Sequence, residues 1–180
     1  MTIDLVWTDI ISVVEIDYNK EDQGIYIWGF EINNKFIPYY VGIAYNIQTR
    51  ITEHISSIIG GRYCIIHSKN LEQFYEYKET KSISEESGLI YIPNFPEGYK
   101  QFLFNKKKLQ PHIDYMVEKM CFTYSVFNEE NITKKDLELI EKKCIQMLGK
   151  EKLWNTRGGN SENILINSIT GDKRVVDLFD

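Results

Sequence analysis

The sequence predicts an α/β (α+β) fold: a small three-stranded sheet flanked by helices. Three observations carry this. Residues 24–32 and 36–43 are two runs rich in aromatic and β-branched residues, separated by Asn33-Asn34. That is a hairpin signature, because asparagine tolerates the left-handed dihedrals of tight turns. Apolar residues then switch to helical spacing at Ile47, Ile51, Ile55 and Ile58, and again from Leu137 to Leu148. Residues 121–127 alternate enough for a third strand.

The elements follow in order. Ile3, Val6, Trp7, Ile10, Ile11 and Val14 recur at helical spacing. They read as a first amphipathic helix, although their β-branching keeps a strand open. Residues 19–23 are a polar link. Pro38 lacks a donor, which places it at a sheet edge or a hydrogen-bond gap. Asn46 can cap a helix starting at Ile47, and Gly60-Gly61 can end it. Residues 63–66 suit a short strand, and residues 71–78 a helix. Residues 80–100 carry two prolines around a short apolar run and read as a loop. A helix over 110–118 would hold Pro111 in its first turn. Thr133 and Asp136 have capping-box spacing, and Gly149 stops the helix they open. A short helix over 163–169 and an extended tail over 175–179 complete the chain.

A length of 180 residues suits one hydrophobic core, and 43% hydrophobic with 26% charged residues is a globular balance. The formal charge of −5 counts against a long-range basic field. Phosphate binding needs only a local patch, for which Arg62, Lys106, Lys107, Lys108 and Arg157 are candidates beside Arg50. Cys64, Cys121 and Cys144 have neither paired nor metal-site spacing, and Cys144 fits a buried thiol in an apolar helical stripe. The N-terminus does not read as a signal peptide, and no apolar run is long enough to span a bilayer. A cytoplasmic protein without a membrane partner is the expectation.

Glu141 stands out by periodicity. It is flanked on its helix by Leu137, Ile140, Cys144 and Ile145, where an unpaired carboxylate is expensive. It is a boundary residue reaching solvent, half of an ion pair, or a metal or phosphate-site ligand. Tyr26 and Tyr40, taken singly, are ordinary sheet aromatics. Arg50 and His54 share a helix face four residues apart.

Taken jointly, the ordered set is more specific. The stretch from Gly24 to His54 reads GIYIWGFEINNKFIPYYVGIAYNIQTRITEH, and that from Leu137 to Asn155 reads LELIEKKCIQMLGKEKLWN. Together they resemble the GIY-YIG nuclease family, which cuts DNA phosphodiesters. Val41 stands where the family has isoleucine, and Asn155 followed by Gly158-Gly159 resembles its phage homing branch. The resemblance covers about residues 22–60 and 120–159 of a single nuclease-like domain, with an insertion over about 62–110. It implies a restriction-like, homing-like or repair-like endonuclease acting on DNA, most naturally double-stranded. It implies that Glu141 binds one Mg²⁺ or Mn²⁺ and that Tyr26 acts as general base. Tyr40 would position water or a phosphate oxygen, and Arg50 would clamp a non-bridging oxygen. His54 would relay a proton or hold phosphate, and Asn155 would fix local geometry. Two-fold DNA sites suit a homodimer, for which the Ile3–Val14 stripe and the insertion are candidate surfaces. The alternatives are a catalytically inactive nucleic-acid-binding module on the same fold, or a structural protein whose aromatics are core.

Overall fold

The structure is a computed structural model that describes residues 2–74, 88–94, 96–127, 132–155 and 164–180. In chain order its elements are β1 (Thr2–Trp7), β2 (Ile11–Ser12), β3 (Gly24–Ile32), β4 (Lys35–Ala44), α1 (Ile47–Ile59), β5 (Ile65–Ile66), a 3₁₀ turn (Ser68–Gln73), β6 (Leu89–Tyr91), α2 (Glu97–Lys119), β7 (Met120–Val126), α3 (Lys134–Leu148), a 3₁₀ turn (Lys150–Lys152), β8 (Leu165–Gly171) and α4 (Lys173–Val176). Two units emerge: Met1–Arg50 with Cys121–Asp180, and Ile51–Met120.

The first unit is built on the hairpin. Asn33 and Asn34 both take positive φ, 53° and 60°, and join β3 to β4. Pro38 lies at a bulge: Trp28 pairs with Tyr40, Gly29 pairs with Pro38, and Tyr39 is the extra residue. The sheet has four strands in the order β2-β7-β3-β4, so the three-stranded expectation is corrected. The added strand β2 is two residues long, too short to show a period, and pairs antiparallel with β7.

The N-terminal helix is a second correction. Residues 2–7 form a strand that pairs in parallel with β8, which replaces the helix expected over 163–169. The β-branched residues of both segments favour strand once a partner is present. Leu5 and Trp7 are buried in this unit's core, whereas Val6 and Val14 of the expected helical stripe are exposed, so the stripe does not survive as one face. The tail expected to be extended begins with the helix α4, where Arg174 binds Asp172 and reaches Glu31 on β3 at 2.6 Å. That partner is 143 residues away in sequence, beyond any local pattern.

The core of this unit joins Ile25, Ile27 and Val41 to Leu137, Ile140, Cys144, Ile145 and Leu148. Helix α3 thus packs on one face of β3 and β4. Its start is the predicted capping box: Thr133 Oγ1 accepts from the Asp136 N–H, and the Asp136 carboxylate accepts from the Thr133 N–H. These bonds with Thr133 hold the Asp136 carboxyl below the usual range. Gly149, at φ 84°, ends the helix.

In the second unit α2 contacts β5, β6 and the Ser68–Gln73 turn. The helix begins at Glu97, so Pro111 lies inside it rather than in its first turn. Proline removes one hydrogen bond, and the surrounding lysine-, leucine- and glutamine-rich sequence carries the helix through. Of the helix expected over 71–78, residues 71–73 are 3₁₀ and Phe74 takes α-helical dihedrals; residues 75–87 lie outside the described residues. Among the described residues no helix is long and apolar enough to cross a membrane.

Candidate functional site

Strand alternation sends Tyr26, Trp28 and Phe30 to the sheet face opposite the Ile25–Ile27 core. The bulge adds two consecutive tyrosines to that face. Tyr39 packs on Trp28 and Phe30, with centroids 4.3 and 5.4 Å away, while Tyr40 lies 6.4 Å from Tyr26. Without the extra residue, Tyr39 and Tyr40 would point to opposite faces.

Both motif glycines have a steric reason. Gly42 pairs with Tyr26, whose ring lies over it. A Cβ at Gly42 would stand 2.5 Å from Tyr26 Cζ and 2.8 Å from Tyr40 Cε1. A Cβ at Gly24 would run into the Ser125 carbonyl on the neighbouring strand β7. The glycines therefore leave room for the tyrosine and for the strand beside it.

Helix α1 adds Arg50. Asn46 Oδ1 accepts from the Thr49 N–H at 2.7 Å, which caps the helix as its sequence predicts. Arg50 Nε then donates to Tyr26 Oη over 3.4 Å, at the long end for such a bond. Tyr26 is buried, with 1% of its surface exposed, while Tyr40 and Arg50 are half-buried.

Asn155 is buried and makes two bonds to one residue. Its Oδ1 accepts from the Val41 N–H at 2.9 Å, and its Nδ2 donates to the Val41 carbonyl at 2.8 Å. Beside it, the Trp154 N–H donates to the Tyr39 carbonyl at 2.7 Å, and the Trp154 ring stacks on Tyr39. The amide so imitates a neighbouring strand along the free edge of β4 and fixes the backbone on either side of Tyr40. Asn155→Ala leaves both Val41 groups unsatisfied and should cost about 1–3 kcal/mol. Denaturant unfolding checks this, and an unchanged midpoint would remove Asn155 from the role.

Glu141 borders the buried stripe of α3 and is half-buried. Burial pushes the thiol of fully buried Cys144 up, and the Glu141 charge adds to that shift. The thiol therefore stays protonated at neutral pH. The local donor set is one hard carboxylate with no thiolate, which fits Mg²⁺ or Mn²⁺ completed by water and phosphate oxygens. Among the described residues no group of three or more His, Cys, Asp or Glu could hold a metal.

The remaining candidates sit in the second unit or outside the description. His54 is buried, and its Nδ1 is 2.8 Å from Tyr63 Oη, a partner the sequence reading did not single out. Its only sequence signal was a polar aromatic soon after a Gly-Gly helix stop. Arg62, Lys106, Lys107 and Lys108 are exposed, the three lysines consecutive on α2. Arg157 lies outside the described residues. The structure thus joins Tyr26, Tyr40 and Arg50 directly and ties Asn155 to the strand that carries Tyr40. It puts Glu141 on α3, which packs on the other face of β3 and β4, against Ile25, Ile27 and Val41, and so does not join it to the tyrosines. Compared with known proteins, the chain matches no family model, no curated protein and no solved structure.

Proposed function

We propose that the chain is a divalent-metal-dependent endonuclease that hydrolyses phosphodiester bonds in double-stranded DNA. The observation that carries this reading is the Arg50–Tyr26 bond beside Tyr40, on a face cleared by Gly42. An ordinary sheet tyrosine needs no guanidinium at its hydroxyl.

Hydrolysis forms a bond from a water oxygen to phosphorus and breaks one phosphorus–oxygen ester bond. The water proton must be accepted, and the charge growing on the non-bridging oxygens must be met. A phenol titrates near 10 in the open, so Tyr26 needs a cation beside its oxygen to accept that proton. The Arg50 guanidinium stands there and also serves as the clamp on phosphate. Tyr40 orients the water or a phosphate oxygen, and Asn155 holds the strand under it. Glu141 is the residue that would hold Mg²⁺ or Mn²⁺. When bound, that ion would supply Lewis-acid charge stabilisation at phosphate. Helix α3 packs on the face opposite Tyr26 and Tyr40, so the proposal requires Glu141 to meet the tyrosines round β4, the edge strand of its sheet. His54, bonded to Tyr63, is assigned no step.

Glu141→Gln should remove Mg²⁺ binding measured by calorimetric titration. Equal binding by both proteins would reject the ligand assignment. The direct test is incubation of the purified chain with supercoiled plasmid and a varied DNA pool in Mg²⁺ or Mn²⁺, with Glu141→Ala as control. One observation favours the second reading, a binding module that does not cut: Tyr26 is almost wholly buried. DNA binding without cleavage across the whole pool would select it. A homodimer on DNA and a cytoplasmic location belong to the same proposal, and the three buried free cysteines suit a reducing compartment.

A further inference from the structure

The second unit holds a pair of histidines that the proposed chemistry does not use. His67 precedes the Ser68–Gln73 turn, and His112 lies on α2; their ring centroids are 4.5 Å apart. Both are half-buried. The Lys69 N–H donates to His67 Nδ1 at 3.2 Å, and the Ser68 N–H donates to His112 Nδ1, also at 3.2 Å. An Nδ1 that accepts a backbone N–H carries no proton. Each neutral ring must therefore carry its proton on Nε2, where it is a donor. Neither Nε2 has a hydrogen-bond partner among the described residues.

Neither Nε2 is among the buried unsatisfied atoms, so both N–H donors face solvent and suit an oxygen acceptor, whether water or an anion. A metal ion is a poor fit, because it needs the Nε2 lone pair. Freeing that pair would protonate Nδ1 and break both bonds to the turn. Capping the turn accounts for the two Nδ1 atoms and leaves the Nε2 atoms unexplained. Positive charge lies on the α2 side of the pair. His112 is held below its ordinary value first by burial, then by the charges of His67 and Lys108, which lies one helical turn away. Lys106 and Lys107 extend the same sign along α2, which carries no acidic residue from Gly98 to Ile113. The chain as a whole is at −5, so this is a local reversal of charge.

We propose that His67 and His112, with Lys108, form an oxyanion site that takes a phosphate group, here a phosphodiester of a nucleic-acid backbone. Only the source of that phosphate rests on the nuclease reading. Two neutral Nε2–H donors and an ammonium offer three hydrogen bonds to one tetrahedral anion, each charge-assisted by the ionised acceptor. None of them reads a base, so the contact adds affinity and registers the duplex without sequence preference.

The chain has three histidines, so their ring nitrogens can be followed separately by long-range ¹H–¹⁵N spectra of the full chain. One titration uses inorganic phosphate, and the other a short duplex in Ca²⁺. The expected result is movement of the His67 and His112 Nε2 signals in both titrations, with the His54 signal still. Lys108→Gln should weaken phosphate binding by roughly tenfold, the worth of one charged contact. His112→Asn keeps an acceptor near the Nδ1 position and removes the Nε2 donor, so the His67 response should fall with the fold retained. Response to phosphate but not to duplex would support the oxyanion site and assign it to free phosphate or a mononucleotide. That response in a protein that binds no DNA at all would sink the nuclease reading and keep this site. Still His67 and His112 signals in both titrations would overturn the proposal. So would equal movement of all three histidines.

Discussion

Tyr26→Phe should cut plasmid about 10²–10⁴-fold more slowly than the natural chain, the range for losing a positioned general base. The ring stays in place against Gly42 and Tyr40, so the fold and DNA affinity should hardly change. Stability should move by about 0.5–1.5 kcal/mol, the net worth of an ordinary hydrogen bond such as the one Oη accepts from Arg50. Single-turnover cleavage and anisotropy with a labelled duplex separate the two quantities. Unchanged turnover would move the base elsewhere. Loss of DNA binding in step with cleavage would make Tyr26 a structural residue, as its burial allows.

Gly42→Ala should damage stability and cleavage together. The new methyl meets two rings at once, within 2.5 Å of Tyr26 Cζ and 2.8 Å of Tyr40 Cε1. The Val41 backbone is held by Asn155, so the strand cannot simply retreat. Overpacking of this kind costs about 1–3 kcal/mol, and displacing the reacting groups by about an ångström costs on the order of 10²-fold in rate. Combining it with Tyr26→Phe should restore part of the stability, because the hydroxyl is part of the clash. A coupling of about 0.5–3 kcal/mol in that double-mutant cycle is expected. Strict additivity would show that the Tyr26 hydroxyl and the new methyl do not meet.

Local chemistry was legible where a few adjacent residues decide the backbone. Asn33-Asn34, Asn46, the Thr133–Asp136 box and Gly149 each act within one turn, and each appears where its chemistry puts it. The stripe on α3 was legible for the same reason: spacing alone assigns Leu137, Cys144 and Leu148 to one buried face. The pairing of Gly29 to Ile32 with the second strand also follows from the hairpin, since a two-residue turn fixes the register up to Pro38, whereas Tyr26 meets Gly42 only because of the bulge beyond it.

Distance in sequence marks what was not legible. The segment over 2–7 has apolar residues that satisfy helical spacing, and only its parallel partner 165–171 makes it a strand. The same holds for β2, whose two residues are defined by β7 alone. Within the candidate site, the sequence by itself supplied the ordered residues Tyr26, Tyr40, Arg50 and Asn155. It could not say that Tyr39 joins the same face through a bulge, nor that Asn155 spends both amide atoms on Val41. Nor could it give His54 its partner Tyr63, or orient the two imidazoles of His67 and His112 through backbone N–H groups. Each of these is a contact whose energy depends on which distant atoms arrive, whereas turns, caps and stripes depend only on neighbours already joined by the chain.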